Sequence, residues 1–186
     1  MRLLHVISSV DPKGGGPIEG IKQRGLFLQN QGHDVEVLSL DAPDAPHVAT
    51  FALKVHGVGP TLMGGYHYTP RLAPWLRANA RHYDHIVISG LWQYHGWGTA
   101  RVLRQMGLNY HVFTHGMLDS WFKHHYPLKH LKKWLYWLLA EYRFLRYAQT
   151  VFFTSEEERI RSRESFWLYQ ANERVVPYGT ATPQQD

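Results

Sequence analysis

Cysteine is absent from all 186 residues of the chain. Its absence excludes a disulfide framework, a thiolate metal site and thiol redox chemistry, and it is compatible with a cytoplasmic setting. Long hydrophobic runs are missing as well. The longest mostly apolar stretch, Trp134 to Ala140, falls far short of the roughly 20 residues that span a bilayer. The opening MRLLHVISSV has one arginine and a short apolar run before it turns into Asp11-Pro12-Lys13-Gly14-Gly15-Gly16. It reads as a buried first strand and not as a signal peptide. That glycine turn lacks the Gly-x-Gly-x-x-Gly spacing of a dinucleotide site, which removes support from an NAD-binding reading. Acidic residues are scarce in one place above all. Between Phe122 and Tyr147, six basic residues (Lys123, Lys129, Lys132, Lys133, Arg143, Arg146) stand against Glu141 alone, so this segment carries an excess equal to the +5 of the whole chain. An anionic partner is to be sought there first.

What is present is an alternation of strand and helix patterns. Arg2 to Ser8 reads as a buried strand, and Pro17 suits the first turn of a helix whose apolar face, through Ile21 and Leu26 to Leu28, stops at Gly32. Strands follow at 34–40, 85–89, 110–114, 150–154 and 174–176, with a short one at 51–55 in a stretch otherwise broken by proline and glycine. Helices are expected at 71–82, 96–106, 127–148 and 155–168, the last started by Ser155 and three glutamates facing the positive helix end. The alternation predicts an α/β fold, one domain over 1–176 with a mainly parallel sheet, and the polar tail 177–186 reads as the start of a linker.

Four segments carry candidate chemistry. Gly14-Gly15-Gly16 lies between the first strand and the first helix, where residues without Cβ let backbone amides approach a phosphate or sugar. An ordinary tight turn would read the same way. Val112-Phe113-Thr114-His115-Gly116-Met117-Leu118-Asp119 delivers His115 to the carboxyl edge of the sheet, where open α/β sheets bind ligands. There it either donates to a sugar hydroxyl or developing charge, or caps its own loop. Gly90-Leu91-Trp92-Gln93-Tyr94-His95 brings Trp92 and Tyr94 to the same edge, to face a sugar ring or to pack under a neighbouring loop. In the basic aromatic helix, Leu131, Leu135, Leu138 and Leu139 are expected to pack on the sheet. Its basic face, with Lys129, Lys132 and Lys133, then turns outward to solvent or to an anionic membrane interface. The pairing of His124-His125 with His130 does not make a metal site: adjacent helical histidines point apart, and no carboxylate or cysteine sits at ligand spacing.

Taken together, the glycine turn, the Gly-Leu-Trp segment, THGMLD with the WLYWLLAEYRFLRYA helix, VFFTSEEE and the closing VVPYGT resemble the N-terminal domain of family-4 retaining glycosyltransferases of the two-domain B fold. The resemblance implies a Rossmann-like three-layer sandwich that forms the acceptor side of the enzyme. A C-terminal domain would bind most of a nucleotide-sugar donor, which is a substrate and not a cofactor. No metal ion is implied. Gly15 and Gly16 would lie beside the donor phosphates and His115 at the reacting sugar, with Trp92, Tyr94 and Asp119 toward the acceptor or sugar. The implied reaction is sugar transfer to a glycan or lipid-linked acceptor in cell-surface polysaccharide synthesis, in the cytoplasm or on the inner face of the membrane, with no nucleic acid involved. The alternative is a non-catalytic α/β binding module whose basic helix faces a membrane or a nucleic acid.

Overall fold

The computed structural model describes residues 1–118 and 133–176. Asp119, Lys129, Lys132 and the expected linker at 177–186 lie outside the described residues. Seven strands form one sheet in the order β3-β2-β1-β4-β5-β6-β7, every pair parallel. The strands are β1 (Arg2–Ile7), β2 (Asp34–Ser39), β3 (Lys54–Gly57), β4 (His85–Ser89), β5 (His111–Phe113), β6 (Thr150–Phe153) and β7 (Glu173–Val175). The helices between them are α1 (Gly16–Asn30), the short α2 (Pro46–Ala49), α3 (Leu72–Asn79), α4 (Tyr94–Gln105), α5 (Tyr142–Arg146) and α6 (Glu156–Ser165).

Parallel strands buried on both faces read as near-continuous apolar runs, because each side of the sheet must be covered. Side chains alternate between the two sides along a strand. Leu4 and Val6 of β1 therefore join Ile88, Val112 and Val151 in one cluster with Leu72, Leu76, Leu103 and Phe144 from α3, α4 and α5. Leu3 and Ile7 point the other way and join Val35 and Val37 in a second cluster under Ile18 and Ile21 of α1. The result is three layers, helix on sheet on helix. Burying one such aliphatic side chain stabilises by about 1.5–3 kcal/mol.

Most of the expected elements occur within a few residues of their expected ends. The short strand expected at 51–55 instead pairs as Lys54–Gly57, since Leu53 is committed to the cluster under α1. The basic helix departs from expectation in a more informative way. Its described part is helical at 133–136, makes a wide π turn over Trp137–Glu141 and continues into α5. Leu135 is 63% exposed, Leu138 38% and Leu139 63%, so these leucines do not pack on the sheet. Trp137, Ala140, Glu141 and Phe144 take the inner face. Trp137 stacks on Phe166 at 4.7 Å and donates its Nε1–H to the Trp167 carbonyl at 3.0 Å. A large aromatic ring with its polar atom satisfied fills the inner layer better than three leucines.

His5, in the middle of β1, is buried, and neither ring nitrogen has a hydrogen-bond partner. Burial, with the charge of Arg24 and then His115 nearby, pushes its pKa down to about 3. A base whose folded pKa lies below its unfolded value of 6.5 lets the unfolded chain bind more protons at acid pH, so stability falls as pH drops below 6.5. His5→Leu should abolish that loss. Urea unfolding at pH 7.5 and pH 5 should show the wild type losing on the order of 2 kcal/mol more than the variant. Equal losses in the two proteins would show that His5 is not held neutral in the fold.

Candidate functional site at the carboxyl edge of the sheet

Connections leave β1 for one side of the sheet and β4 for the other, so a crevice opens between these neighbouring strands at their carboxyl ends. The cleft found there measures about 330 Å³ and is lined by Ser9, Lys13, Gly14, Gly90, Gln93 and Met117 among others. Three loops meet at it, and each owes its position to an acidic side chain from elsewhere in the chain.

The β1–α1 loop carries the glycines. Gly15 has φ +73 and ψ −139, a conformation that any Cβ would strain, and it forms the N-cap of α1. A Cβ built on Gly15 or Gly16 would meet nothing within 4 Å, which leaves open space beside the positive end of α1. Asp41 anchors the loop, accepting the Ser9 hydroxyl at 2.7 Å and the Val10 amide at 2.8 Å.

In the β4–α4 loop, Gly90 and Trp92 both have positive φ, of 95° and 70°. For tryptophan this backbone costs on the order of 1–3 kcal/mol. Glu141 offsets the strain: the Trp92 amide donates to its Oε1 at 2.7 Å, while Trp92 Nε1 donates to the Met117 carbonyl at 3.1 Å. The Trp92 ring contacts Phe166 and carries the Lys133 ammonium 4.7 Å from its centroid. Lys133, expected on the outward face, is thus half-buried, and that burial lowers its pKa. Tyr94 opens α4 and packs against Tyr66 and Tyr68 at 5.9 and 4.8 Å. His95 is buried, with Nε2 2.8 Å from the Ser89 carbonyl, and burial pushes its pKa down to about 4.

The β5 loop holds His115 at φ 51, with its ring stacked on Phe113 at 4.7 Å. Burial, and next the nearby Arg24, pushes its pKa down to about 4, so the imidazole is neutral at physiological pH. Arg24 lies over the opposite partner of this stack, 4.5 Å from the Phe113 centroid. Glu158 fixes the loop. It accepts the Thr114 hydroxyl at 2.6 Å and the Gly116 amide at 2.7 Å, and its other oxygen accepts the Thr154 amide and hydroxyl at 2.7 and 2.6 Å. Burial works to raise the Glu158 pKa, but these hydrogen bonds outweigh it and hold the carboxyl below its ordinary value. Ser155 caps α6 as expected, accepting the Glu158 amide at 3.1 Å.

The structure thus brings Gly15, Gly16, Trp92, Tyr94 and His115 to one edge of the sheet. The cleft itself is lined by their neighbours Gly14, Gly90, Gln93 and Met117, while His115 leans toward α1 and Trp92 toward the 133–141 helix. Sequence reading missed the three acidic side chains. It gave Glu158 only a helix-dipole role and assigned none to Asp41 or Glu141.

A family model described as a glycosyl transferase 4-like domain matches residues 24–179. The chain belongs to that family. The glycine turn precedes the matched span. Among solved structures the glycosyltransferase domain is similar to a sucrose-phosphate synthase from Thermosynechococcus elongatus (19% identity, TM-score 0.62), covering 96% of this chain and 48% of that one. It is also similar to Anabaena Alr3699/HepE in complex with UDP (15% identity, TM-score 0.63), covering 98% and 47%. A third is MurG of Acinetobacter baumannii (10% identity, TM-score 0.53), covering 99% and 47%. The domain therefore spans about half the length of these proteins and has the Rossmann-like architecture of their matching half. No curated protein sequence matches it.

Glu141 offers a direct test of how the Trp92 loop is held. Burial pushes its pKa up to about 8, against an ordinary 4.5. The folded protein then keeps a proton that the unfolded chain has lost, so stability falls as pH rises from about 4.5 to 8, by at most about 1.4 kcal/mol per pH unit. Glu141→Gln keeps the acceptor for the Trp92 amide and should remove this slope. Glu141→Ala should cost about 2–4 kcal/mol at pH 6, leaving a cavity and an unpaired amide. A Gln variant as unstable as the Ala variant at pH 6 would show that the carboxyl is ionised in the fold.

Proposed function

We propose that this domain is the acceptor-side, N-terminal half of a retaining glycosyltransferase that moves a sugar from a nucleotide-sugar donor to a glycan or lipid-linked acceptor in cell-surface polysaccharide synthesis. The observation that carries this reading is the open glycine turn at the positive end of α1, braced by Asp41, with its Gly14 lining the switch-point cleft. Anabaena Alr3699/HepE, one of the similar proteins, was solved with UDP and glucose. A donor bound there would set its phosphates against the free space at Gly15 and Gly16. Backbone dipoles aimed at a leaving phosphate typically contribute a few kcal/mol each to lowering a barrier. His115, neutral and partly buried with its ring stacked on Phe113, would present a hydrogen bond to the sugar at the same edge. Such chemistry needs two domains closing on one another, so the isolated domain is expected to transfer no sugar.

Gly16→Ala separates this reading from that of a non-catalytic module. Gly16 has room for a methyl group, and alanine is favoured in helices, so the fold should tolerate the change. In the full-length enzyme, donor KM should rise at least tenfold with an unchanged melting temperature, and unaltered kinetics would remove the donor from this turn. His115→Ala should slow turnover by tenfold or more, about 1.4 kcal/mol of barrier. Normal turnover with lowered stability would leave His115 a purely structural part.

A membrane-facing role for the 133–146 helix is favoured by the outward leucines, since an exposed Leu135, Leu138 and Leu139 beside Arg143 and Arg146 form an apolar face with a basic flank. Leu135→Asp with Leu139→Asp should release the protein from phosphatidylglycerol vesicles. Retention equal to wild type would end this second reading.

A further inference from the structure

On the far side of the molecule from the glycine turn, α4 and α5 flank a second cleft of about 460 Å³. Its walls carry three guanidinium groups, those of Arg101 and Arg104 on α4 and Arg143 on α5, together with Trp97, Gln105 and Tyr110. Among the described residues, no carboxylate lines it. Among the described residues, none of the three arginines forms an ion pair with an aspartate or glutamate, although such pairs occupy arginines elsewhere, as at Arg159 and Arg163. Glu141, the sole acid of the 122–147 segment, is buried and turned to the Trp92 amide. Two of the guanidiniums are held by aromatic rings: Arg104 lies 3.6 Å from the Tyr147 centroid and Arg101 5.2 Å from that of Trp97. A guanidinium stacked on a ring has its plane fixed and its N–H edge left to donate, the geometry that recognises phosphate oxygens. Arg77 of α3 adds a fourth positive group at the rim, donating to Gln105 Oε1 at 3.5 Å.

Three guanidinium groups line one concavity here, and among the described residues no carboxylate is paired with any of them. An ordinary solvated basic surface spreads its charges and has no concavity. We propose that the Arg101–Arg104–Arg143 cleft is a binding site for a phosphate group, separate from the switch-point cleft and independent of the transferase reading.

The test uses the full-length protein at constant ionic strength. Inorganic phosphate and pyrophosphate are titrated against chloride as control, with the melting temperature and tryptophan fluorescence as readouts, Trp97 being in the wall. The triple variant Arg101→Gln, Arg104→Gln, Arg143→Gln is compared with a charge-matched control, Lys22→Gln, Arg161→Gln, Arg174→Gln. The single variant Arg143→Gln, at an exposed position, covers the case in which the triple variant fails to fold. Phosphate should bind wild type and control alike, and the triple variant at least tenfold more weakly, with the single variant between them. Two vesicle arms then locate the phosphate. Selective loss of binding to phosphatidylglycerol over phosphatidylcholine vesicles in the triple variant assigns it to a lipid headgroup, and unchanged vesicle behaviour with lost phosphate binding assigns it to a soluble phosphate ester. Equal phosphate affinity in the triple variant and wild type, or a wild-type response no greater than that to chloride, overturns the site.

Discussion

A side-chain carboxyl group accepting a loop amide recurs at each of the three strand ends that meet at the candidate site. Asp41 takes the Val10 amide, Glu141 that of Trp92 and Glu158 that of Gly116. The reason lies in parallel architecture. Where parallel strands end, their last amides lose the ladder partner they had inside the sheet, and the loops that follow must make sharp turns with positive φ at Gly15, Gly90, Trp92, His115 and Gly116. An amide left unpaired in such a place costs about 1–3 kcal/mol, and a carboxyl oxygen accepts it whether ionised, as at Glu158, or protonated, as at Glu141. The three acids thus hold the backbone in shapes it would not keep unaided, and the glycine turn and the His115 loop inherit their positions from them.

The layered fold was largely legible in the sequence, because parallel strands write themselves as apolar runs and Ser155 as a helix start. The clamps were not, for a definable reason. Each acid lies 31, 49 or 42 residues from the amide it accepts, and no local periodicity carries a pairing across that distance. Glu158 illustrates the gap: its place in the first turn of α6 suggested a dipole partner, whereas one oxygen reaches back across β6 to the loop after β5 and the other holds Thr154 at the end of β6. The leucines of the basic helix failed in the opposite direction. Their spacing is helical, but a helical period shows only that a stripe exists and not which side it faces. Trp137 and the π turn settled that by claiming the inner layer.

Electrostatics on the two sides of the sheet follow opposite rules. Under α1, His5 and His115 share the field of Arg24 and stay neutral, with the Arg24 guanidinium resting on Phe113. On the other side Glu141 stays neutral because burial denies it water. His5, His115 and Glu141 thus carry no charge near the site, whereas Glu158 and Arg24 do, and the guanidinium groups of Arg101, Arg104 and Arg143 lie on the outer surfaces of α4 and α5.

The amide clamps also bear on how the site moves. Loops usually exchange their amide hydrogens with solvent almost freely, since water competes for every donor, while strands exchange only when a larger unit opens. Val10, Trp92 and Gly116 are loop residues whose amides are engaged by acidic side chains rooted in other elements. To expose any one of them, the chain must separate two parts of the sheet's edge and not merely flex a turn. In deuterium uptake these three positions should behave as members of the core, and the rim of the cleft should be among the slowest-exchanging irregular backbone in the protein.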